Sequence, residues 1–385
     1  MSSQTLELFP ELLWLYGTGI LPAQGFDRLI GLREIIASVP ITEGQIQPAS
    51  LDLRLGPVAY RVRASFLSSD CPVSEKLKRF VMYELDLTQP QVLERDCAYI
   101  VPMIEELNLS SDISGRANPK SSTGRIDVFT RLITDFGGEF EGVRAGYKGK
   151  LYTEIVPQTF SIRVRQGDRL NQLRLRRGTP RPTMTDLEKL HEDERSLNSE
   201  EESPAQELYL DKEKKVRWLH IDLTGDERSE VIGYRAKRHA PIIDVSQVGC
   251  YDPADYWETI LCNSDKSLLL EPGEFYILAS KEPVRIPPTH AAEMEPYDPS
   301  RGEFRIHYAG FFDPGFGYGT DDPRGTPAVL EVRSHEVPFL LEDGQIVAAL
   351  KYHRLVSPPN KIYGQGIGSS YQHQRLALSK HFRRG

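Results

Sequence analysis

Apolar and polar positions alternate at period two through much of this chain. Ile46-Gln47-Pro48-Ala49-Ser50-Leu51-Asp52-Leu53-Arg54-Leu55-Gly56 carries the alternation and stops at glycine, which predicts a half-buried strand. Val58-Ala59-Tyr60-Arg61-Val62-Arg63 continues it, and so does the run from Val92 to Val101. The segment from Ile155 to Leu175 reads as two strands around a turn at Gln166-Gly167-Asp168. One stretch differs: Phe26 to Ile36 places its apolar residues at helical spacing and predicts a short helix. The apolar, aromatic residues 1–18 are expected to dock on the core or on a partner subunit. Residues 176–215 break the pattern, with a turn-rich exit over 176–182, a charged stretch from Thr185 to Leu197 that predicts an exposed helix, and an acidic linker over 199–204.

Beyond that break the first half recurs. Leu93-Glu94-Arg95-Asp96-Cys97-Ala98-Tyr99-Ile100 matches Leu270-Glu271-Pro272-Gly273-Glu274-Phe275-Tyr276-Ile277, Glu154 matches Glu331, and Gly167 matches Gly344, each pair separated by 177 positions. One offset holding across three separate segments implies two copies of one β domain. The expected organisation is a first β domain over 1–178, a charged linker or helix over 179–212, a second β domain over 213–358 and a C-terminal segment over 359–385.

Composition narrows the chemistry. The 385 residues suffice for two or three domains, and 30 Gly with 27 Pro favour short strands and turns over long helices. A net charge of −8 gives no global basic footprint for nucleic acid, so an anionic ligand needs a local cationic cluster. No apolar run has the length of a membrane span, and the N-terminus lacks the pattern of a signal peptide, so a cytoplasmic protein without membrane partners is expected. The four cysteines are widely spaced with no C-x-x-C and read as reduced core residues, not a disulfide framework or a zinc site.

One stretch supplies such a cluster: Gly115-Arg116-Ala117-Asn118-Pro119-Lys120-Ser121-Ser122-Thr123-Gly124-Arg125. Turn formers, two hydroxyls and two cations on one loop suit a polyphosphate, whose oxygens each find a donor and whose charge is offset locally. Glu154 and Glu331, each on an apolar strand, are the candidate acid–base carboxylates, because a carboxylate buried without a partner is costly and titrates near neutrality.

The run I-Q-P-A-S-L-D-L-R-L-G, the K-S-S-x-x-R loop and the later strand carrying Glu resemble dCTP deaminases, which share the distorted, jelly-roll-like β-barrel of the dUTPases. The resemblance covers nearly the whole chain as a tandem duplication. It implies hydrolysis of dCTP to dUTP and ammonia, magnesium carried with the triphosphate, no protein-held metal, dTTP as a feedback inhibitor and association into a homo-oligomer. Zinc-dependent deaminases need H-x-E and P-C-x-x-C, and neither occurs here.

The copies divide the family's motifs. Copy one keeps Lys120, Ser121, Ser122 and Arg125; copy two keeps His307-Tyr308-Ala309-Gly310-Phe311-Phe312-Asp313-Pro314-Gly315, similar to the family's nucleoside hairpin, whose Asp holds the sugar 3′-hydroxyl. The tail from Tyr363 to Gln374 resembles the segment that closes over the triphosphate, with Tyr363 and Gln374 at family positions and Ser370 where a Lys is expected; Lys361 and Lys380 are the candidate replacements. The expected composite site joins the loop of copy one to the hairpin of copy two. In it Lys120, Ser121, Ser122, Ala309, Tyr363, Ser370 and Gln374 bind nucleotide, Asp313 holds the sugar, Arg125 orients the water or the Glu, and Glu331 is the acid–base with Glu154 as its competitor. Two other functions stay open: a dUTP diphosphatase or bifunctional deaminase–diphosphatase, and a dNTP-binding regulator without turnover.

Overall fold

A computed structural model describes residues 17–179, 210–211, 216–225, 229–295, 304–306, 310–318, 325–334, 336–364, 371 and 375–384. The predicted helix over 185–197 and the acidic linker lie outside these residues, as do Ala309, Ser370 and Gln374. The chain is mainly β, and the repeat is visible strand for strand. In copy one a sheet runs Val81–Asp86, Val58–Val62, Ala98–Asn108, Lys148–Pro157, Val128–Thr134. In copy two the same order is Trp257–Leu261, Val231–Ala236, Phe275–Val284, Thr326–Ser334, Phe304–Ile306. A second sheet repeats as well: Leu51–Leu53, Asn171–Arg177, Ile113–Pro119, Gly142–Val143 in one copy and Val216–His220, Ile346–Arg354, His290–Glu295, Phe311–Phe312 in the other.

Local interactions obey the same 177-residue offset. The Tyr99 hydroxyl accepts from the Glu94 N–H at 3.1 Å, and the Tyr276 hydroxyl accepts from the Glu271 N–H at 3.0 Å. Both tyrosines are buried, so each hydroxyl needs the partner that the turn provides. Gly167 and Gly344 both take a left-handed conformation, with φ of +88° and +77°, which glycine adopts without a Cβ penalty.

The copies share their core. The larger apolar cluster gathers Leu51, Leu53, Tyr99, Phe160 and Leu173 of copy one with Trp257, Phe275, Ile277 and Phe382 from beyond the break. Ile162–Val164 pairs in parallel with Ile243–Asp244 across the boundary. The C-terminal Phe382 packs edge-on against Tyr256 at 5.2 Å and Trp257 at 5.9 Å.

Several expectations are corrected. The first helix spans Ala23–Gly31; Arg33 is left-handed, and Ile35–Ala37 pairs with the strand Ala98–Asn108. Sheet pairing there overrides the helical spacing of the two isoleucines, whose β-branched side chains fit a strand. The stretch before Gly56 holds a strand only over Leu51–Leu53 and is buried on both faces, because Asp52 and Arg54 find ionic partners inside. From Ile155 to Leu175 the strands Ile162–Val164 and Asn171–Arg177 flank the expected turn at Gln166-Gly167-Asp168, and residues 155–157 close the separate strand Lys148–Pro157. The charged helix Val73–Phe80 had no clear signature; only Val73 and Leu77 are buried on it.

If the repeat organises stability, Tyr99→Phe and Tyr276→Phe each lose the same turn contact. Each is expected to cost about 1 kcal/mol, read as a lowered denaturation midpoint with similar size in the two variants.

Candidate active site

A cavity of about 250 Å³ opens between the copies and is lined by residues of both. Its phosphate-like end grows from the strand Ile113–Pro119, which runs into the single helical turn Ser121–Gly124. The Lys120 N–H donates to Leu170 O at 2.8 Å and the Thr123 hydroxyl to the same carbonyl at 3.0 Å, so the turn is pinned to the neighbouring strand connection. Lys120 pairs with Asp52, and Arg169 lies 3.5 Å from that carboxylate. Lys380 joins them: burial lowers its pKa, and the nearby Lys120 and Arg169 lower it further. Three cations thus stand against two carboxylates, Asp52 and Asp168, an excess of positive charge that suits an anion. A second hollow of about 240 Å³ continues from this end toward Val245 and His381.

The opposite end belongs to copy two. Phe311–Phe312 leads into Asp313, and Gly315 follows at φ +90°, where a Cβ would collide with Ile362. Asp313 is buried and meets Arg174 of copy one at 3.1 Å. Burial pushes the Asp313 carboxyl above its ordinary range, and Arg174 pulls it back. Arg174 is itself fixed, donating to Ala292 O at 2.8 Å and lying 4.1 Å over the Phe311 ring. Phe312, Phe316 and Tyr363 make an aromatic wall, with centroid distances of 5.1 and 5.6 Å between successive rings.

Glu331 lines the same cavity, on the strand Thr326–Ser334, 5% exposed. Burial raises its pKa from 4.5 to about 7 against the opposing pull of Arg125, whose Nε lies 4.0 Å from Glu331 Oε1. Arg125 is stacked 3.9 Å over Tyr371 and donates to Ala377 O at 3.0 Å. The tail therefore holds this guanidinium in place. Ser379 anchors the tail by donating to Ser122 O at 2.8 Å, and Lys380 N donates to the Tyr371 hydroxyl at 3.1 Å.

Lys120, Ser121, Ser122, Arg125, Asp313, Glu331 and Tyr363 all line this one cavity. Glu154 does not. It is fully buried against Arg131, which donates from Nη2 at 2.5 Å and from Nε at 3.0 Å, and Arg131 lies 3.6 Å over the Phe140 ring. Of the two candidate replacements for the missing tail lysine, Lys380 reaches the cavity, whereas Lys361 lies 3.5 Å from Glu43. Sequence reasoning missed Asp52, Arg169, Arg174 and Tyr371. Asp52 and Arg174 sit at polar positions of alternating strands, where periodicity assigns a solvent face.

Two copies of one β domain that complete a polar cavity between them define a duplicated β protein whose single described site needs both halves. Comparison with known proteins identifies it further. The N-terminal domain model of 2′-deoxycytidine 5′-triphosphate deaminase matches residues 17–179, and the C-terminal domain model matches residues 183–382. The chain belongs to this deaminase family and is an enzyme of that class. A crystal structure of 2′-deoxycytidine 5′-triphosphate deaminase from Agrobacterium tumefaciens is 48% identical, covers 88% of this chain and 99% of its own, and superposes with a TM-score of 0.81. The dUMP-forming dCTP deaminase of Beutenbergia cavernae is 30% identical over 154 residues, spanning 37% of this chain and 75% of its own length. That of Methanopyrus kandleri is 26% identical over 145 residues, 37% of this chain and 69% of its own. Among the described residues no helix is long and apolar enough to cross a membrane.

The raised pKa of Glu331 makes a stability prediction free of any assay. A folded-state pKa above the unfolded one stabilises below pH 4.5, and the contribution is lost as pH rises through about 7. Glu331→Gln is therefore expected to raise the unfolding free energy at pH 8 by up to about 3 kcal/mol and to leave it unchanged at pH 4. Thermal melts at the two pH values check this.

Proposed function

We propose that this chain deaminates dCTP to dUTP and ammonia, with Glu331 moving protons between water, cytosine N3 and the departing amine. The observation that carries the reading is a buried carboxylate with a pKa of about 7 in one cavity lined also by cations and aromatic rings. A carboxyl poised near neutral pH takes a proton from water as readily as it returns one. Water adds to C4 as Glu331 removes its proton; that proton passes to N3; Glu331 then takes the proton of the new C4 hydroxyl and gives it to the amine, so that the tetrahedral carbon collapses to C4=O and ammonia leaves. Arg125, braced by Tyr371 and Ala377, orients Glu331. Asp313, braced by Arg174, accepts from the sugar 3′-hydroxyl. Lys120, Ser121, Ser122, Arg169 and Lys380 hold the triphosphate, and Tyr363 closes the nucleoside side.

Magnesium would arrive with the triphosphate and offset its charge. Asp52 Oδ1, buried with no hydrogen-bond partner beside Lys120, fits a metal-bound water there. The steps at C4 and N3 are carried by Glu331 and Arg125.

A second reading, deamination followed by pyrophosphate release to give dUMP, is favoured by the names of several relatives. Ammonia and pyrophosphate are measured on one dCTP digest: pyrophosphate in step with ammonia supports the dUMP-forming reading, and ammonia alone supports dUTP as product. A dNTP-binding regulator would bind dCTP and release neither.

Glu331→Gln is expected to lose ammonia release by about 10³-fold, whereas Glu154→Gln keeps it. The reverse ranking would reject Glu331 as the shuttle. The wild-type kcat should rise with pH through a midpoint near 7, as Glu331 gives up its proton and becomes able to accept one from water.

A further inference from the structure

A site divided between two domains needs something to fix their separation at the reacting residues. Arg125 belongs to copy one and Glu331 to copy two, and the two approach only to 4.0 Å. Two residues beyond Arg125 lies Asp127; two residues beyond Glu331 lies Arg333. Asp127 and Arg333 form an ion pair through Asp127 Oδ2 and Arg333 Nη2. The pair is built on both sides. Asp127 is fully buried, left-handed at φ +54°, with its N–H donating to Gly124 O at 2.8 Å and its Oδ2 accepting from the Thr159 hydroxyl at 2.5 Å. Arg333 Nη2 also donates to Thr159 Oγ1 at 3.0 Å, while its Nη1 donates to Gly273 O at 2.5 Å. Spacing of two along a strand puts Arg333 and Glu331 on one face, so the grip is transmitted without an intervening turn.

We propose that the Arg333–Asp127 pair is a positioning clamp that holds Glu331 at its working distance from Arg125. This rests on Glu331 being the proton shuttle. The charges acting on Glu331 are Arg125 and Asp127 of copy one; the cavity it lines also carries Asp52, Lys120, Arg169, Asp313, Tyr363, Tyr371 and Lys380; Arg333 lies two positions along its own strand, and across the sheet it faces the apolar Ile277. Arg125 lowers its pKa and Asp127 raises it, so the clamp has an electrostatic signature besides a geometric one. A salt bridge that only stiffened the fold would lack it.

The experiment is the pH dependence of kcat for ammonia release from dCTP in Asp127→Asn, Arg333→Gln, the double variant, Arg333→Lys and Glu331→Gln, each as the full chain. Asp127→Asn is expected to move the acid limb down by about half a pH unit, Arg333→Gln to move it up because the Asp127 charge loses its counter-ion, and the double variant to fall between them. Arg333→Lys keeps the charge with a poorer grip, so it lowers kcat severalfold with the limb in place and KM little changed; it also keeps the test decisive where a charge-removing variant does not fold. Limbs that stay put or move together while Glu331→Gln is inactive overturn the clamp and leave the shuttle standing. An active Glu331→Gln removes both.

Discussion

Glu331 is kept out of water by one copy of the domain and faced by a cation from the other, and the architecture serves that juxtaposition. A carboxylate buried alone would be neutral far above pH 7, and one paired tightly would be ionised far below it. At 4.0 Å, Arg125 answers the burial in part, and the balance falls at about 7. The intermediate value requires that the guanidinium come no closer. Its contacts with the Tyr371 ring and the Ala377 carbonyl hold it back. The tail thus acts on the carboxylate indirectly, by occupying the group that would otherwise neutralise it.

Duplication let the two halves specialise. The strand that carries Glu331 in copy two carries Glu154 in copy one, with the same sheet neighbours. Yet Glu154 is neutralised by Arg131, which lies between Phe129 and Phe140. An inward arginine at that position fills the space and supplies the counter-charge, so the buried carboxylate becomes part of the fold. Copy two presents the hairpin around Asp313, and copy one supplies the cationic turn that copy two lacks. Each half has kept what the cavity draws from it.

Much of this was legible in the sequence because it depends on local spacing. The period-two pattern gave the β class, and the constant offset gave the repeat, down to the Tyr99 and Tyr276 turn contacts. Lys120, Ser121, Ser122, Arg125, Asp313 and Tyr363 meet in one cavity as their motifs implied. What could not be read depends on distant partners. Asp52 and Arg174 looked solvent-facing because alternation cannot tell water from a polar cavity. The different surroundings of Glu154 and Glu331 come from Arg131 and Arg125, residues at different spacings from the two carboxylates. The helix Val73–Phe80 buries two side chains, too few for a periodic signal.

The cavity draws its walls from a single polypeptide. Where a nucleotide pocket forms between separate subunits, its occupancy falls as the protein is diluted and subunits part. Here the partner half is tethered, and Phe160 of copy one packs edge-on against Tyr256 and Trp257 of copy two at 5.7 and 5.5 Å. The effective concentration of one half around the other is fixed by covalent connection. The walls that the two copies contribute to the cavity therefore meet however dilute the chain is.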